Sequence, residues 1–333
     1  MKHRSLGADG PPVSSICLGT WALSGLWGGR IEPGVEAVRR AFDLGVNFFD
    51  TAHAYGGGAA EAALARGLGD LLRGRRAEVV ISTKGGLETR GNTVVRNSDP
   101  AFLRANLTDS LRTLGTDYVD VFFVHWPDPT VPLAETAGVL TDFVKEGLVR
   151  HAGVSNFSVA EMTEFAAAAP ADVAQVPFSL LARGAERDVL PHCRDAGVGI
   201  MGWSALAHGL LTGALRPDHS FAHDDWRAYS PMFKGERFAR LLKLVDLLAA
   251  FAAERGCTVA QLALAWVLSH PAGVVPVIGA QFPEHIEDSV KAVEVRLTEA
   301  DLAELDRLVA GAPSVGPEAG PPSRTGDGGG HAA

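Results

Sequence analysis

Cysteine is scarce in this chain: Cys17, Cys193 and Cys257 are the only three among 333 residues. They stand far apart, odd in number and without CxxC spacing, so neither a disulfide framework nor a zinc site is signalled. A reducing compartment fits, and the cytoplasm is the expected location. Positive charge is also short, with 30 Lys and Arg against 39 Asp and Glu and a formal net charge of -9. Nucleic-acid and acidic-lipid surfaces need clustered cations, so neither is expected as a partner. Long hydrophobic runs are missing too. The opening "MKHRSLGADG" has no apolar stretch behind its basic residues, and the most apolar region, 240–268, is broken by Lys243, Asp246, Glu254 and Arg255. Neither a signal peptide nor a membrane span is expected. No GxGxxG turn follows the first strand pattern, and no Ser-His-Asp or Cys-His nucleophile pattern stands out.

What the chain does have is alternation. Short β-rich runs recur from end to end: "VSSICLGTW", "VNFFDTA", "EVVISTK", "YVDVFFVHW", "VRHAGVSN", "DVAQVPFSL", "VGIMGWSAL" and "GVVPVIGA". Between them lie helical patterns with their own punctuation. Pro33 opens one and Gly45 stops it, Asp99-Pro100 caps another that runs through Leu111, and "SVAE" at 158–161 and "TVAQ" at 258–261 read as capping boxes. Continuous apolar strands separated by helices argue for a parallel sheet covered by helices, and eight repeats argue for a closed (β/α)8 TIM barrel, an α/β single domain. The barrel is assigned to residues 1–311. The Gly/Pro-rich tail 312–333 has no apolar period and is read as disordered. Residues 213–235, rich in His, Asp and Pro, form a long excursion of the kind a barrel places over its active face.

In such a barrel the C-terminal strand ends share one cavity. Asp50 ends the second strand with Tyr55 just beyond, Lys84 ends the third and His125 the fourth. Singly, each has an ordinary structural explanation: a helix cap, amphipathic packing, a snorkelling lysine, a satisfied core histidine. Together, a buried Lys and Asp demand pairing, and a cation beside a phenol favours phenolate and lowers its pKa. A phenol so tuned protonates a carbonyl oxygen while hydride arrives from elsewhere, and a nicotinamide cofactor is its source. Ser155, Asn156 and Gln175 are placed to bond a carboxamide, and Trp203 offers a flat face for stacking.

These motifs resemble the aldo-keto reductase superfamily along nearly the whole chain, most closely its bacterial branches near the inositol-catabolism reductases and potassium-channel β subunits. "DTAHAYG" matches that family's DTAxxYG, "STKGG" its lysine motif, "VFFVHWPDP" its histidine strand and "GVSNFS" its carboxamide motif. The resemblance implies that Tyr55 is the general acid/base, Lys84 depresses its pKa, Asp50 pairs with Lys84 and borders the cofactor, and His125 orients the carbonyl. It also places Gly19, Thr20 and Trp21 beside cofactor and substrate, and Ser204, Leu206, Gly209 and Leu211 in the loop over the pyrophosphate, where Ala205 replaces the usual proline.

In "VIGAQFPEHIEDSV", Gly279, Gln281, His285 and Asp288 fall at the adenosine end. Gln281 stands where relatives often carry Arg or Lys for the 2′-phosphate, and His285 is a partial substitute. NADPH is the expected cofactor on family habit, with NADH possible. Trp21, Trp27 and Trp126 on the active face suggest a substrate pocket walled by aromatics, completed by Tyr55 and His125. His219, His223, Asp224 and Asp225 lie close in sequence but read as solvated loop, and no metal site is assigned. Trp226 or Tyr229 in that loop is a possible ligand contact. The expected activity is hydride transfer between NAD(P)(H) and an aldehyde, ketone or sugar. The alternatives are an NAD-dependent aldose dehydrogenase, a cofactor-bound regulatory subunit with little turnover, and a barrel whose cofactor is vestigial. Oligomeric state is not legible.

Overall fold

Parallel strands buried on both faces need apolar side chains on both, and the core strands of this chain have them. In the computed structural model, which describes residues 1–28, 31–91, 93–313 and 315, eight parallel strands close into a barrel. They are β3 (Cys17–Gly19), β4 (Phe48–Asp50), β5 (Val80–Gly85), β8 (Val119–Val124), β9 (Val149–Ser155), β10 (Val173–Pro177), β11 (Gly199–Trp203) and β12 (Val275–Gly279). Each pairs with the next, and β12 returns to β3. Two antiparallel ribbons stand outside the barrel: β1 (His3–Ser5) with β2 (Pro12–Ser14), and β6 (Leu87–Arg90) with β7 (Thr93–Arg96).

Around it lie α1 (Ile31–Asp43), α2 (Ala59–Leu68), α3 (Asp70–Gly74), α4 (Pro100–Leu114), α5 (Leu133–Lys145), α6 (Val159–Ala166), α7 (Val189–Ala196), α8 (Gly235–Ala253), α9 (Val259–Ser269), α10 (Pro283–Ser289) and α11 (Glu299–Val309). The expected punctuation is present. Asp99 accepts from the Ala101 and Phe102 amides ahead of Pro100, and Gly115 ends α4 at φ 67°. Ser158–Glu161 and Thr258–Gln261 form reciprocal capping boxes, each supplying partners to orphan helix amides. Thr298–Asp301 is a third box, not anticipated from sequence. The apolar region 240–268 is two helices, broken at Gly256, whose φ of 65° turns the chain between α8 and α9.

The period of two along each strand divides the core. Phe49, Ile81, Phe122, Val154 and Ala174 face outward into the layer shared with the helices. Cys17, Phe48, Val80, Val121, Phe123, Val173, Met201, Val275 and Val277 fill the barrel itself, joined from below by Leu6 and Val13 of the β1–β2 ribbon. Full burial of a Phe or Leu is worth roughly 1.5–3 kcal/mol, so this interior is a packed plug and not a channel. The fold is a single (β/α)8 domain. Residues 314 and 316–333, most of the segment read as a disordered tail, lie outside the described residues. Among the described residues, no helix is long and apolar enough to cross a membrane.

Candidate active site

The strand period continues upward. One inward step beyond Phe48 is Asp50; beyond Val80 come Ser82 and Lys84, beyond Phe123 His125, beyond Val173 Gln175, and beyond Met201 Trp203. The layer above the apolar plug is therefore polar and closes the C-terminal face.

At its centre Lys84 Nζ lies 2.6 Å from Asp50 Oδ2, 2.9 Å from the Thr51 carbonyl and 3.5 Å from Tyr55 Oη. Asp50 Oδ1 accepts from Ser82 Oγ at 2.7 Å and from Gln175 Nε2 at 3.0 Å. Lys84 and Asp50 are 1% and 2% exposed, so each charge depends on the other for compensation. Although burial pulls Lys84 down, Asp50 and Tyr55 together hold its pKa above the usual lysine value. The ammonium is a permanent cation beside the phenol.

That cation does not set the net direction for Tyr55, which corrects the sequence-based expectation of a depressed phenol. Burial is the largest influence and raises the Tyr55 pKa; Lys84 opposes it, Asp50 adds to it, and the result is a phenol above its ordinary value. Tyr55 is thus a protonated acid at neutral pH. The His125 ring stands edge-on to it, centroids 5.6 Å apart. Burial and then Lys84 push His125 well below the usual histidine range, so it is a neutral imidazole, and its Nδ1 has no partner among the described residues.

Asn156 ties three strand ends together. Its Nδ2 donates to the His125 carbonyl and to Ser155 Oγ, both at 3.0 Å, and its Oδ1 accepts from Trp203 Nε1 at 3.1 Å. Asn156 sits at φ 64°, and among the described residues the other non-glycine residues with positive φ are Ser204, Ala207 and His208. Asn156 and Ser204 directly follow β9 and β11, and Ala207 and His208 lie in the loop after β11, so the unfavourable backbone is concentrated at the face where Ser204, Leu206, Gly209 and Leu211 were expected to border a cofactor. The Ser204 hydroxyl is buried without a partner.

The aromatic wall forms with different members from those expected. Trp21 meets Trp27 edge-to-face at 5.0 Å and stacks on Trp226 at 5.4 Å, while Trp27 and Trp226 are 5.8 Å apart. Trp21 also reaches Tyr55 at 6.4 Å. Trp126 has no ring contact with this group; it lies under Arg96 of β7, 5.2 Å from the guanidinium. The excursion 213–235 supplies Trp226 and locks it: Asp225 bridges to Trp27, Trp226 N donates to the Leu26 carbonyl, and Asp225 binds Arg227 through both oxygens. His208, unnoticed in the sequence, packs 5.0 Å from Trp226, where burial and Arg227 lower its pKa to about 4. Tyr229 is exposed and donates to the His223 carbonyl, apart from the cluster.

At the end of β12, Gly279 pairs with Gly19 of β3, and Gln281 Nε2 reaches the Trp27 carbonyl at 3.4 Å. His285 Nδ1 accepts from the Gln281 amide, and burial lowers the His285 pKa. The expected partial charge there is replaced by a neutral acceptor. Asp288 is committed elsewhere: it accepts from Gln261 Nε2 at 2.6 Å and Thr258 Oγ1 at 3.1 Å, fastening α10 to the start of α9. Among the described residues no three His, Cys, Asp or Glu side chains form a metal-binding group. A groove of about 390 Å³ between Pro127–Leu133 and Glu161 and Glu164 lies to one side of these residues; chemistry, not volume, selects the site.

The chain matches the Aldo/keto reductase family over residues 15–310. It is 36% identical to aldo-keto reductase YhdN of Bacillus subtilis (strain 168), over 97% of this chain and 99% of that protein. It is 32% identical to an NADH-specific methylglyoxal reductase of Escherichia coli (strain K12), over 90% and 96%. Among solved structures it resembles the glycerol dehydrogenase AKR11B4 from Gluconobacter oxydans, with a TM-score of 0.80, 34% identity and coverage of 93% and 95%. With a closed eight-stranded barrel, an Asp-Lys-Tyr-His cluster at its C-terminal face and a family match spanning almost its full length, the chain belongs to the aldo/keto reductase family.

Proposed function

We propose that this protein moves hydride reversibly between a nicotinamide cofactor and an aldehyde, ketone or sugar, with Tyr55 as general acid/base. The observation that carries this is Lys84 Nζ, placed between Asp50 at 2.6 Å and Tyr55 Oη at 3.5 Å. The bound nicotinamide supplies the hydride. Tyr55 gives its proton to the carbonyl oxygen as that oxygen gains charge, and Lys84 stabilises the phenolate left behind. The neutral His125 donates a hydrogen bond to the same oxygen and fixes its direction. In the oxidative sense each step reverses, with the Tyr55 phenolate as base.

The residues present fit a nicotinamide. Gln175, whose amide nitrogen is engaged by Asp50, keeps its carbonyl oxygen for a carboxamide N–H, with Ser155 beside it. Trp203, oriented by Asn156, presents the stacking face. At the adenosine end the groups assigned to the site, Gly279, Gln281 and a neutral His285, hold no fixed cation. A 2′-phosphate there gains no charge-assisted contact, so we favour NADH over NADPH, a preference that accords with the name of the E. coli relative. The substrate is a small carbonyl compound or sugar seated against Trp21, Trp27 and Trp226. Oxidation of a polyol is the second reading, favoured by these aromatic faces and by the likeness to a glycerol dehydrogenase. The three cysteines are free thiols, which suits a cytoplasmic setting.

The test is oxidation of NADH and NADPH, side by side, with a reactive nitrobenzaldehyde, and Tyr55→Phe as control. Turnover with NADH that the mutant loses is the expected result. Saturable cofactor binding without turnover would replace this reading with that of a regulatory subunit.

A further inference from the structure

Three glycines separate Tyr55 from the helix that follows it, and only the first of them is packed against a neighbouring segment. Gly56, Gly57 and Gly58 have φ of 62°, 60° and 93°. A Cβ added at Gly57 or Gly58 would meet nothing within 4 Å, whereas one at Gly56 would run into the Ser24 carbonyl oxygen, so packing fixes the first residue of the turn and leaves the next two unsupported. Glycine also carries the largest backbone freedom of any residue. Yet the Tyr55–Lys84 separation of 3.5 Å is at the outer limit of a hydrogen bond, and a small drift of the turn breaks it.

The first residue after the glycines to be anchored by a side-chain hydrogen bond is Glu61, in α2. It is completely buried, and its Oε1 accepts from Thr83 Oγ1 at 2.6 Å. Thr83 directly precedes Lys84 in β5 and faces the helices while Lys84 faces the barrel. Ser110 of α4 lies near the Glu61 carboxyl, His53 and Lys84 are the charged or titratable groups facing it, and burial pushes its carboxyl up. His53 itself sits 3.7 Å from Asp109.

We propose that Glu61 is a positioning residue: by accepting the Thr83 hydroxyl it fastens the helix that follows Tyr55 to the strand that carries Lys84, and so sets the distance between phenol and ammonium. This rests on the reading of Tyr55 as the general acid/base. A plain core carboxyl would serve only stability. A positioning carboxyl also governs how strongly Lys84 offsets the burial of Tyr55, against the contrary pull of Asp50.

The experiment compares Thr83→Val, Glu61→Leu and Glu61→Gln with the unaltered enzyme and Tyr55→Phe. It measures kcat for alcohol oxidation against pH, cofactor Kd by fluorescence and Tm. Thr83→Val and Glu61→Leu are expected to lower kcat about 10- to 100-fold and to move the pH limb upward, because a phenol farther from Lys84 ionises later. Cofactor Kd stays as in the unaltered enzyme. Glu61→Gln, which still accepts from Thr83, restores both kcat and the limb. If Glu61→Leu fails to fold, Thr83→Val decides alone. A Thr83→Val enzyme with lowered Tm but unchanged kcat and pH limb overturns the positioning role while leaving Tyr55 as the acid. Turnover that survives Tyr55→Phe removes the functional reading and the positioning role with it.

Discussion

Gln175 and Asp50 join opposite walls of the barrel. β10 and β4 lie four strands apart in a ring of eight, and Gln175 Nε2 reaches across to Asp50 Oδ1 at 3.0 Å. The group proposed to read the carboxamide is therefore bonded to the group that holds Lys84. Hydrogen bonds to a charged partner contribute about 1.5–3 kcal/mol. Gln175→Leu is expected to lower Tm and to raise the cofactor KM together, whereas Gln175→Glu, which sets a second carboxylate beside Asp50, also lowers kcat. Steady-state kinetics and thermal melts on both variants check this; a Gln175→Glu enzyme with unaltered kcat would contradict it.

The pH dependence follows from Tyr55. Burial holds its pKa above the ordinary phenol value despite Lys84, so the protonated form needed for carbonyl reduction persists through neutral pH. Reduction is expected to stay level from about pH 6 to 9 and to fall only at higher pH, while alcohol oxidation, which needs the phenolate, rises with pH. His125 is neutral throughout and His208, at about 4, has lost its proton well below that range, so neither adds an acid limb. Profiles of kcat/KM in both directions test the signs.

Release of the cofactor is expected to depend on Asp225. This carboxylate is 3% exposed, holds Arg227 through both oxygens and caps the short helix bearing Trp226. Asp225→Ala releases Arg227, whose guanidinium lies 4.6 Å from the centroid of the Trp27 ring, and so loosens the excursion against the first loop while leaving Asp50, Tyr55, Lys84 and His125 untouched. Its removal is expected to speed NADH dissociation on the order of tenfold, equivalent to ~1.4 kcal/mol, with kcat/KM for the carbonyl little changed. Stopped-flow displacement by excess NAD+ measures the rate directly.

Cofactor choice is expected to turn on position 281. Gln281→Arg restores a cation where a 2′-phosphate arrives, and a charge-assisted pair there shifts the NADPH/NADH ratio of kcat/KM upward by about tenfold. A ratio unmoved by the substitution would place phosphate discrimination elsewhere.

The barrel and the tetrad were legible because they obey short-range rules. Strand period puts Asp50, Lys84 and His125 on one face, and Asp99, Ser158 and Thr258 announce helix starts by their own side chains. What was not legible depends on meetings between distant segments. Trp126 follows a strand and so reads as part of the aromatic wall, yet Arg96 claims it; Trp226, legible only as one of two possible ligand contacts in its loop, stacks on Trp21 along a path that no local pattern dictates. Asp288 sits at the position expected to meet the cofactor, but the start of α9 offers it two donors. The direction of the Tyr55 shift was misjudged for a related reason. A neighbouring cation shows in the motif, whereas the depth of burial that outweighs it exists only in the folded chain.

The ribbon of β1 and β2 has a kinetic meaning. Leu6 and Val13 extend downward a plug that the strand side chains already fill, so the polar layer above it opens at the C-terminal face and not through the barrel. On the reading proposed above, a nicotinamide held by Gln175 and Trp203 and a carbonyl compound at Tyr55 would both enter by that face. Sharing one entrance, the two would have to arrive and leave in sequence, a constraint set by the side chains that fill the barrel from below.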